Sequence, residues 1–404
     1  MISVDEARAR ILAALKPVGV ERVALGQALG RTLAEDVVAR ITSPPVDVSA
    51  MDGYAVRAAD VGQVPVTLRR VGEAPAGGAF QGAVGAGQAV RIFTGGPVPR
   101  GADTVVLQEN AEARGDEVVV KEVTAKGRHV RVAGLDFTAG TALLKAGRRL
   151  TSRDLGLAAA MNVADLTVHR RPRVAILATG DELVRAGDTV GPNQIVNANS
   201  PALAAVILGA GGEAVDLGIA RDDLAAIQAA AAPARRADLF ITIGGASVGE
   251  HDLVQKALTP AGLVVDFWKI ALRPGKPLMF GTFGAVPTLG LPGNPVSALV
   301  CALVFIRPAI AALLGRTSEG DGLVTAVLGR DLGANDHRQD YLRSTLSRNA
   351  NGEPVATPFE RQDSSMLATL AAADCLVVRP PDAPAAKAGA SVRVVPFTLG
   401  ADGF

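Results

Sequence analysis

The chain has 404 residues, of which 49% are hydrophobic and 20% are charged, so it is a globular protein and not a disordered one. Its 41 basic and 40 acidic side chains leave a formal net charge of +1, which excludes binding of nucleic acid through a general basic field. Two cysteines are too few for a disulfide framework or a thiolate zinc cluster. We therefore expect roughly two to four domains in a reducing compartment, with function confined to local sites.

Residues 1–44 have a mainly helical pattern. Ser3 followed by Asp5 and Glu6 is typical of a capped helix start, and the charged N-terminus lacks the apolar core of a signal peptide. The most apolar run, 297–314, contains Arg307 and Pro308, which favours a buried and kinked helix over a membrane span. These features predict a cytoplasmic protein that does not enter a membrane.

From about residue 46 to 140 the sequence changes to short β-rich runs separated by Gly, Pro and Asp, which predicts a small all-β domain. A helical pattern returns over 141–171. We predict that 1–45 and 139–171 form one discontinuous, elongated domain around the β domain of 46–138. The other two predicted domains cover 172–316 and 317–404.

The segment 172–316 alternates strands with helices, so we predict an α/β domain with a mostly parallel sheet that is covered on both faces. The predicted strands lie at 173–178, 214–218, 238–243, 263–270 and 286–290. The last segment carries four β runs, which predict a small β barrel or a sandwich. The fold class is therefore multidomain, α/β plus all-β.

Three glycine-containing loops follow strands of the α/β segment, and such sheets bind ligands at the ends of their strands. The loops begin at Thr179, Gly244 and Leu291. Glycines allow backbone N–H groups to approach an anion, and Glu182 and Asp252 provide the oxygen ligands that Mg²⁺ prefers. The same glycines also make ordinary tight turns, and both interpretations stay open on this evidence.

Three cations near the predicted strand 263–270 suit a phosphate or a small oxyanion, although each alone also fits a solvated turn. They are Lys269, Arg273 and Lys276. In the β domain, the glycines near Asp52 and Asp136 predict turns at both positions. The four histidines show no metal-binding spacing, and Cys301 and Cys375 lie in apolar runs, so we expect both cysteines to be core residues.

Five motifs resemble the MoeA family of molybdopterin molybdenumtransferases, which is related to the gephyrin E domain, in order along nearly the whole chain. They are Ser49-Ala-Met-Asp-Gly-Tyr-Ala-Val56, Thr94-Gly-Gly-Pro-Val-Pro99, Ala178-Thr-Gly-Asp-Glu-Leu183, Gly244-Gly-Ala-Ser-Val-Gly-Glu-His-Asp252 and Gly290-Leu-Pro-Gly-Asn-Pro-Val-Ser297.

The resemblance implies an enzyme that inserts molybdate into adenylylated molybdopterin with Mg²⁺-dependent release of AMP, the last step of molybdenum cofactor synthesis. It further implies a MogA-like α/β domain and a homodimer whose active site is shared between subunits. A MogA-like molybdopterin adenylyltransferase would deliver the substrate, and molybdoenzymes would accept the product.

Carried over by motif, the resemblance predicts that the catalytic group consists of six residues: Asp52, Thr94, Asp136, Glu182, Asp222 and Asp252. Glu182 and Asp252 would hold the metal. The residues that would bind the substrates are Gly244, Gly245, Ser247, Gly249, Lys269, Arg273, Lys276, Pro292, Asn294, Pro295, Ser297, Arg343 and Ser364. Arg273 stands where relatives often have Lys, so the charge is kept while the donor geometry differs.

Two other functions fit parts of the sequence. One is a carrier or scaffold that binds the cofactor without turnover, and the other is a MogA-like adenylyltransferase. The many carboxylates count against a carrier of an anionic ligand, and the additional β domains count against an adenylyltransferase. Tungstate remains an alternative to molybdate.

Overall fold

The computed structural model describes residues 1–244, 253–316 and 322–397, and its first element is helix α1 (Val4–Ala13). The Ser3 hydroxyl caps this helix by accepting a 3.1 Å hydrogen bond from the Glu6 N–H, which confirms the predicted helix start. The prediction of helix through residue 44 is wrong, because the chain continues as β1 (Val20–Ala24), a 3₁₀ turn and β2 (Val37–Val38).

The next segment is all β, as predicted. Its strands are β3 (Val48–Ser49), β4 (Gly53–Val56), β5 (Val66–Ala74), β6 (Gln88–Ile92), β7 (Thr104–Leu107), β8 (Ala111–Arg114), β9 (Glu117–Val120), β10 (Val130–Arg131) and β11 (Ala142–Leu144). Six of them form a sheet in the order β7-β4-β6-β5-β9-β8. Separate apolar clusters cover its two faces, one around Val106 and Val118 and the other around Val90 and Val105.

Helix α2 (Ser152–Ala160) and strand β12 (Asp165–His169) follow, so the helical prediction for 141–171 is correct only in its middle. Strand β1 pairs with β12, and β2 pairs with β11. These long-range pairings override the local helical pattern, because a strand is stabilised by its partner as much as by its own residues.

By internal contacts the chain divides into two units. The first contains Met1–Glu35, Ala146–Ser152 and Leu166–Phe404, and the second contains Asp36–Lys145 and Arg153–Asp165. The predicted catalytic residues Asp52, Thr94 and Asp136 belong to the second unit. The α/β domain and the C-terminal barrel both belong to the first.

The α/β domain alternates strands with helices, as predicted. Its elements are β13 (Arg173–Thr179), β14 (Leu183–Val184), β15 (Ile195–Val196), α3 (Asn199–Gly209), β16 (Glu213–Ala220), α4 (Leu224–Ala231), β17 (Leu239–Ile243), α5 (Leu253–Leu258), β18 (Leu263–Trp268), β19 (Leu272–Arg273), β20 (Met279–Phe283), β21 (Val286–Leu291), α6 (Pro295–Cys301) and α7 (Arg307–Leu313). The main sheet has the order β16-β13-β17-β21-β20-β18. Its first four strands are parallel, and only β20 runs against both of its neighbours.

Both faces of this sheet are buried. Along β13, Val174 and Ile176 face one apolar cluster, whereas Ala175 and Leu177 face the other. The alternation follows from the two-residue period of a strand, and burial on both sides explains why β13 is a continuous apolar run.

The apolar helical segment Pro295–Leu313 is the one helix within the described ranges that is long and apolar enough to span a membrane, and 72% of its apolar window is buried. Its middle, Ala302–Ile306, forms a π turn that ends two residues before Pro308. Because Pro308 has no N–H to continue the α-helical ladder, a widened turn at this point is the expected response. The prediction of a buried helix is confirmed, and the segment just before Arg307 and Pro308 is irregular because it contains the π turn.

The C-terminal segment forms a closed barrel, which decides between the predicted barrel and sandwich. Its elements are β22 (Val324–Leu328), β23 (Gln339–Arg348), β24 (Pro354–Pro358), α8 (Leu367–Ala371), β25 (Cys375–Arg379) and β26 (Ser391–Pro396). The strands pair in the ring β23-β24-β22-β26-β25, and β25 pairs back with β23. Strand β19 of the α/β domain adds to β23 in parallel.

Candidate active site

Strands β13, β17 and β21 end side by side at one edge of the sheet. Ala178 pairs with Ile243, and Ile243 in turn pairs with Leu291. The three glycine loops that follow these strands therefore start next to one another. This confirms that the loops share one edge, which is where open α/β sheets bind ligands.

The loop backbones touch at Gly244. This residue has a φ of +87°, and a Cβ on it would lie 2.7 Å from the Thr179 carbonyl oxygen. A Cβ on Gly293 would lie 3.8 Å from the Gly244 Cα. Glycine is therefore required at 244 by both conformation and space. The next predicted residues of this loop, Gly245, Ser247, Gly249 and Asp252, lie outside the described residues.

A group of carboxylates follows β13 and β16 at this edge. A Cβ on Gly180 would lie 2.6 Å from a Glu182 carboxylate oxygen, so glycine allows Glu182 to fold back over the loop. The Asp222 N–H donates to the Asp181 carboxylate at 3.3 Å. Gly180, Asp181 and Asp222 line a cavity of about 580 Å³.

Partial burial raises the pKa of the Asp222 carboxyl above its ordinary value, and the negative charges of Asp181 and Glu182 raise it further. Within 1–244, 253–316 and 322–397, no three His, Cys, Asp or Glu side chains are arranged to hold a metal ion. Asp252, the predicted partner of Glu182, is outside these ranges. The carboxylate oxygens present here are of the kind that magnesium prefers, but within the described residues they do not form an assembled group of ligands.

The loop after β21 contacts the barrel loop that contains Ser364. The Asn294 side-chain amide donates to the Ser364 hydroxyl at 2.9 Å, and the Val296 N–H donates to the Ser364 carbonyl at 3.1 Å. The structure therefore brings together two predicted substrate-binding residues that are 70 positions apart. The other predicted residues of this loop are Pro292 and Ser297, which are buried, and Pro295, which begins α6.

Arg343 lies behind the same barrel loop and is 1% exposed. Its backbone N–H and its Nε both donate to the Gln362 side-chain oxygen, at 3.0 and 3.1 Å, and Nη1 donates to the Met366 carbonyl at 3.1 Å. Burial lowers the pKa of the guanidinium below its ordinary value. In this structure Arg343 holds the loop that carries Ser364.

The predicted cations lie near the far strand of the sheet. Lys269 follows β18, and Lys276 precedes β20, so both stand at the same edge as the glycine loops. The Lys269 ammonium lies 4.4 Å from the centroid of the Trp268 ring, and Lys276 is exposed.

The third predicted cation, Arg273, instead bonds carboxylates of the barrel. Its guanidinium contacts Asp340 and lies 3.1 Å from the Asp336 carboxylate. Its hydrogen bond with Asp340 raises the Arg273 pKa, so much of its charge is already matched.

In the second unit, Asp52 and Thr94 form one group. The Asp52 carboxylate accepts hydrogen bonds from the Thr94 N–H at 2.7 Å and from the Thr94 hydroxyl at 2.8 Å. The bond from the Thr94 N–H lowers the pKa of Asp52 most, the bond from the Thr94 hydroxyl lowers it next, and the charge of Arg91 lowers it further. Asp52 is therefore an anion at neutral pH. Asp136 is exposed on its loop, where its N–H donates to the Ser43 carbonyl at 3.0 Å.

The sequence analysis did not name Arg91 or Asn199 as candidate residues, and it named Thr179 only as the start of a loop. Arg91 stacks on Tyr54 and Phe93 and donates to the Gly53 carbonyl at 3.1 Å, beside Asp52. Thr179 and Asn199 have buried side-chain oxygens without a hydrogen-bond partner in the described structure. Asn199 begins α3 shortly after β15, in a position that no sequence motif singled out.

The fold and the site define a class: a multidomain protein with an α/β ligand-binding domain that suits a phosphorylated ligand, joined to a β barrel. Family models agree region by region. The MoeA N-terminal region (domain I and II) matches residues 2–162, a probable molybdopterin-binding domain matches 175–312, and the MoeA C-terminal region (domain IV) matches 325–397.

Relatives match over the whole length. The chain is 35% identical to a molybdopterin molybdenumtransferase of Haemophilus influenzae, covering 98% of this chain and 99% of the relative. It is 37% identical to molybdopterin molybdenumtransferase 2 of Mycobacterium tuberculosis, covering 96% and 97%. A crystal structure of a MoeA protein from Pyrococcus horikosii superposes with a TM-score of 0.85 at 31% identity, covering 99% of this chain and all of that one. The chain belongs to the MoeA family of molybdopterin molybdenumtransferases.

The raised pKa of Asp222 predicts that Asp222→Asn increases the melting temperature at pH 7. A carboxyl whose folded pKa is raised destabilises the folded state above its unfolded pKa, and this penalty disappears as the pH falls below that value. The gain should therefore shrink as the melting temperature is measured from pH 7 down to about pH 4. Asp188→Asn, at an exposed position of the same unit, is the control. A gain that is constant across this range would contradict the charge explanation.

The hydrogen bonds of Asp52 predict that Thr94→Val raises the Asp52 pKa part of the way toward its ordinary value. Valine removes the hydroxyl donor and keeps the backbone N–H, which is the larger cause of the lowered pKa. Because a depressed carboxyl pKa stabilises the fold above that pKa, the variant should lose part of this contribution at neutral pH. An NMR titration of the carboxylate carbon measures the shift. Thr94→Ser keeps the donor and should titrate as the wild type does.

The buried contacts of Arg343 predict that Arg343→Leu destabilises the protein by about 3 kcal/mol, because the Gln362 oxygen and the Met366 carbonyl lose a charged donor. Urea unfolding, followed by a spectroscopic signal from the barrel, measures the decrease in the free energy of unfolding. Arg361→Leu, at an exposed position of the same loop, should change stability by less than about 0.5 kcal/mol. Equal effects of the two variants would refute the role of Arg343 in holding the loop.

Proposed function

We propose that this chain is a molybdopterin molybdenumtransferase that inserts molybdate into adenylylated molybdopterin and releases AMP, the last step of molybdenum cofactor synthesis. The observation that carries the proposal is the distribution of charge along one sheet edge. Carboxylates follow β13 and β16, lysines flank β18 and β20, and glycine loops lie between them. A ligand with a pyrophosphate and an oxyanion has use for a metal, for cations and for backbone donors in that arrangement.

Glu182, together with Asp252, is the metal-binding pair that we propose. A magnesium ion bound by them would neutralise charge on the pyrophosphate oxygens. Lys269 and Lys276 would attract molybdate and the phosphate of the pterin substrate, because an ammonium is a mobile point charge that suits oxyanions. The backbone of the loop beginning at Gly244 would contact the phosphate portion of the substrate. Asn294 and Ser364 would contact it as well, since the barrel loop holds the Ser364 hydroxyl against the Asn294 amide.

The remaining predicted groups complete the proposal. We assign Asp52, Thr94 and Asp136 to an active site shared with a second copy of the chain, so that the enzyme is a homodimer. Asp52 would act there as a permanent anion, because its pKa is lowered. Through its contacts with Asp336 and Asp340, Arg273 would position the segment between β18 and β20 that carries the lysines, in addition to any contact with substrate. We place the enzyme in the cytoplasm, between a MogA-like adenylyltransferase and the molybdoenzymes.

The assay supplies purified protein with adenylylated molybdopterin, Mg²⁺ and molybdate, and follows AMP and active cofactor. We expect AMP release that depends on molybdate. Binding of substrate without AMP release would identify a carrier, and formation of adenylylated molybdopterin from ATP would identify an adenylyltransferase. Replacing molybdate by tungstate in the same assay tests the choice of oxyanion.

Glu182→Gln should raise the Mg²⁺ concentration required for half-maximal AMP release by at least about tenfold, because one charged ligand is lost. Glu213→Gln is the matched control, since Glu213 begins β16 at the opposite end of the sheet. An unchanged Mg²⁺ requirement in Glu182→Gln would remove Glu182 from the metal site and leave the transferase assignment standing.

A further inference from the structure

Two buried oxygens at the junction of the three loops have no hydrogen-bond partner within the described residues. They are the Thr179 hydroxyl and the Asn199 side-chain oxygen. Thr179 is 4% exposed, and its hydroxyl lies 3.3 Å from the position of a Cβ on Gly244. The Asn199 amide nitrogen donates to the Gly293 carbonyl at 2.7 Å. Since Gly244 and Gly293 adjoin, the two oxygens belong to one junction at the ligand-binding edge.

The contact with Gly293 fixes the orientation of the Asn199 amide. Only the NH₂ end of an amide donates to a carbonyl, so the oxygen end is the one without a partner. A buried acceptor of this kind is rare in native structures and needs an explanation. Molybdate and ionised phosphate cannot satisfy it, because their oxygens only accept hydrogen bonds. An N–H or O–H donor is needed, and a neutral part of a bound ligand can supply one.

The substrate of the proposed function has such donors on its heteroaromatic rings. A pterin carries an amino group and ring N–H groups, and adenine carries an amino group. The Thr179 hydroxyl can both donate and accept, so it complements a ring edge on which donors and acceptors alternate. Phosphates and molybdate would remain with the cations and the metal site.

We propose that Asn199 is a specificity-determining residue whose side-chain oxygen accepts a hydrogen bond from an N–H of a substrate ring, with Thr179 at the same loop junction. The proposal rests on the proposed function for the identity of the substrate. It assigns the ring to the junction of Thr179, Gly244, Gly293 and Asn199, apart from the charged groups that handle the anions.

The test compares wild type, Asn199→Leu and Asn199→Asp in calorimetric titrations with adenylylated molybdopterin, without molybdate. Leucine has a similar size and no acceptor, and we expect it to weaken binding at least about tenfold. Aspartate keeps an acceptor oxygen, loses the donor to Gly293 and adds a negative charge, which repels the anionic groups of the substrate. Salt screens a buried charge poorly, so the same variants are also titrated with the uncharged ligands neopterin and adenosine, for which aspartate should weaken binding much less than leucine.

Two results of these titrations would overturn the proposal. One is wild-type affinity in Asn199→Leu, and the other is equal weakening by leucine and aspartate toward the uncharged ligands, which would reduce Asn199 to a support for the Gly293 loop. The titration measures substrate affinity without turnover, so it gives a result even if the protein releases no AMP. A wild type that does not bind adenylylated molybdopterin would overturn the substrate assignment itself.

The two halves of the substrate identify the ring. Neopterin and AMP are titrated separately against wild type and Asn199→Leu. A loss confined to neopterin assigns the hydrogen bond to the pterin, and a loss confined to AMP assigns it to adenine. If both halves bind the variant as they bind the wild type, the hydrogen bond to a ring is refuted.

Discussion

The candidate site depends on the contact between the Gly244 backbone and the Thr179 carbonyl. A Cβ on Gly244 would lie 2.7 Å from the Thr179 carbonyl oxygen, so there is no room for a side chain at this position. The positive φ of Gly244 disfavours a side chain as well. The contact sets the distance between the first two loops, and the neighbouring Gly293 extends it to the third. Because β13 and β17 are buried on both faces, their ends are fixed in position, so the loops begin from rigid elements.

Given that fixed edge, the order of the strands separates the charges. Asp222 and Glu182 follow β16 and β13, whereas Lys269 follows β18, which is four strand positions from β13. At a strand spacing of about 4.8 Å, those four steps span roughly 19 Å. An extended ligand with a metal-binding pyrophosphate at one end and an oxyanion at the other matches this length. The near-zero net charge of the chain therefore conceals a local separation of charge.

The sequence predicted the parts of the structure that depend on local patterns. The buried strand β13 was evident as a continuous apolar run, and the glycine loops marked the ligand-binding edge. Strands β1 and β12 were not predicted, because each depends on a partner about 145 residues away and has a locally helical context. The part of Arg343 in holding the barrel loop was also hidden, because its partners Gln362 and Met366 become neighbours only when the barrel closes.

Neither of the two cysteines is available as a sulfur ligand. Cys301 and Cys375 are free and fully buried, as the apolar runs around them predicted. Burial raises the pKa of both thiols, that of Cys375 to about 11, so neither is a thiolate near neutral pH. The chain therefore offers carboxylates, ammonium groups, hydroxyls and amides, and neither cysteine offers a thiolate ligand for a metal. An enzyme of this composition that places molybdenum on sulfur must receive the sulfur with its substrate, and its own residues are left to neutralise, orient and desolvate the anions that react.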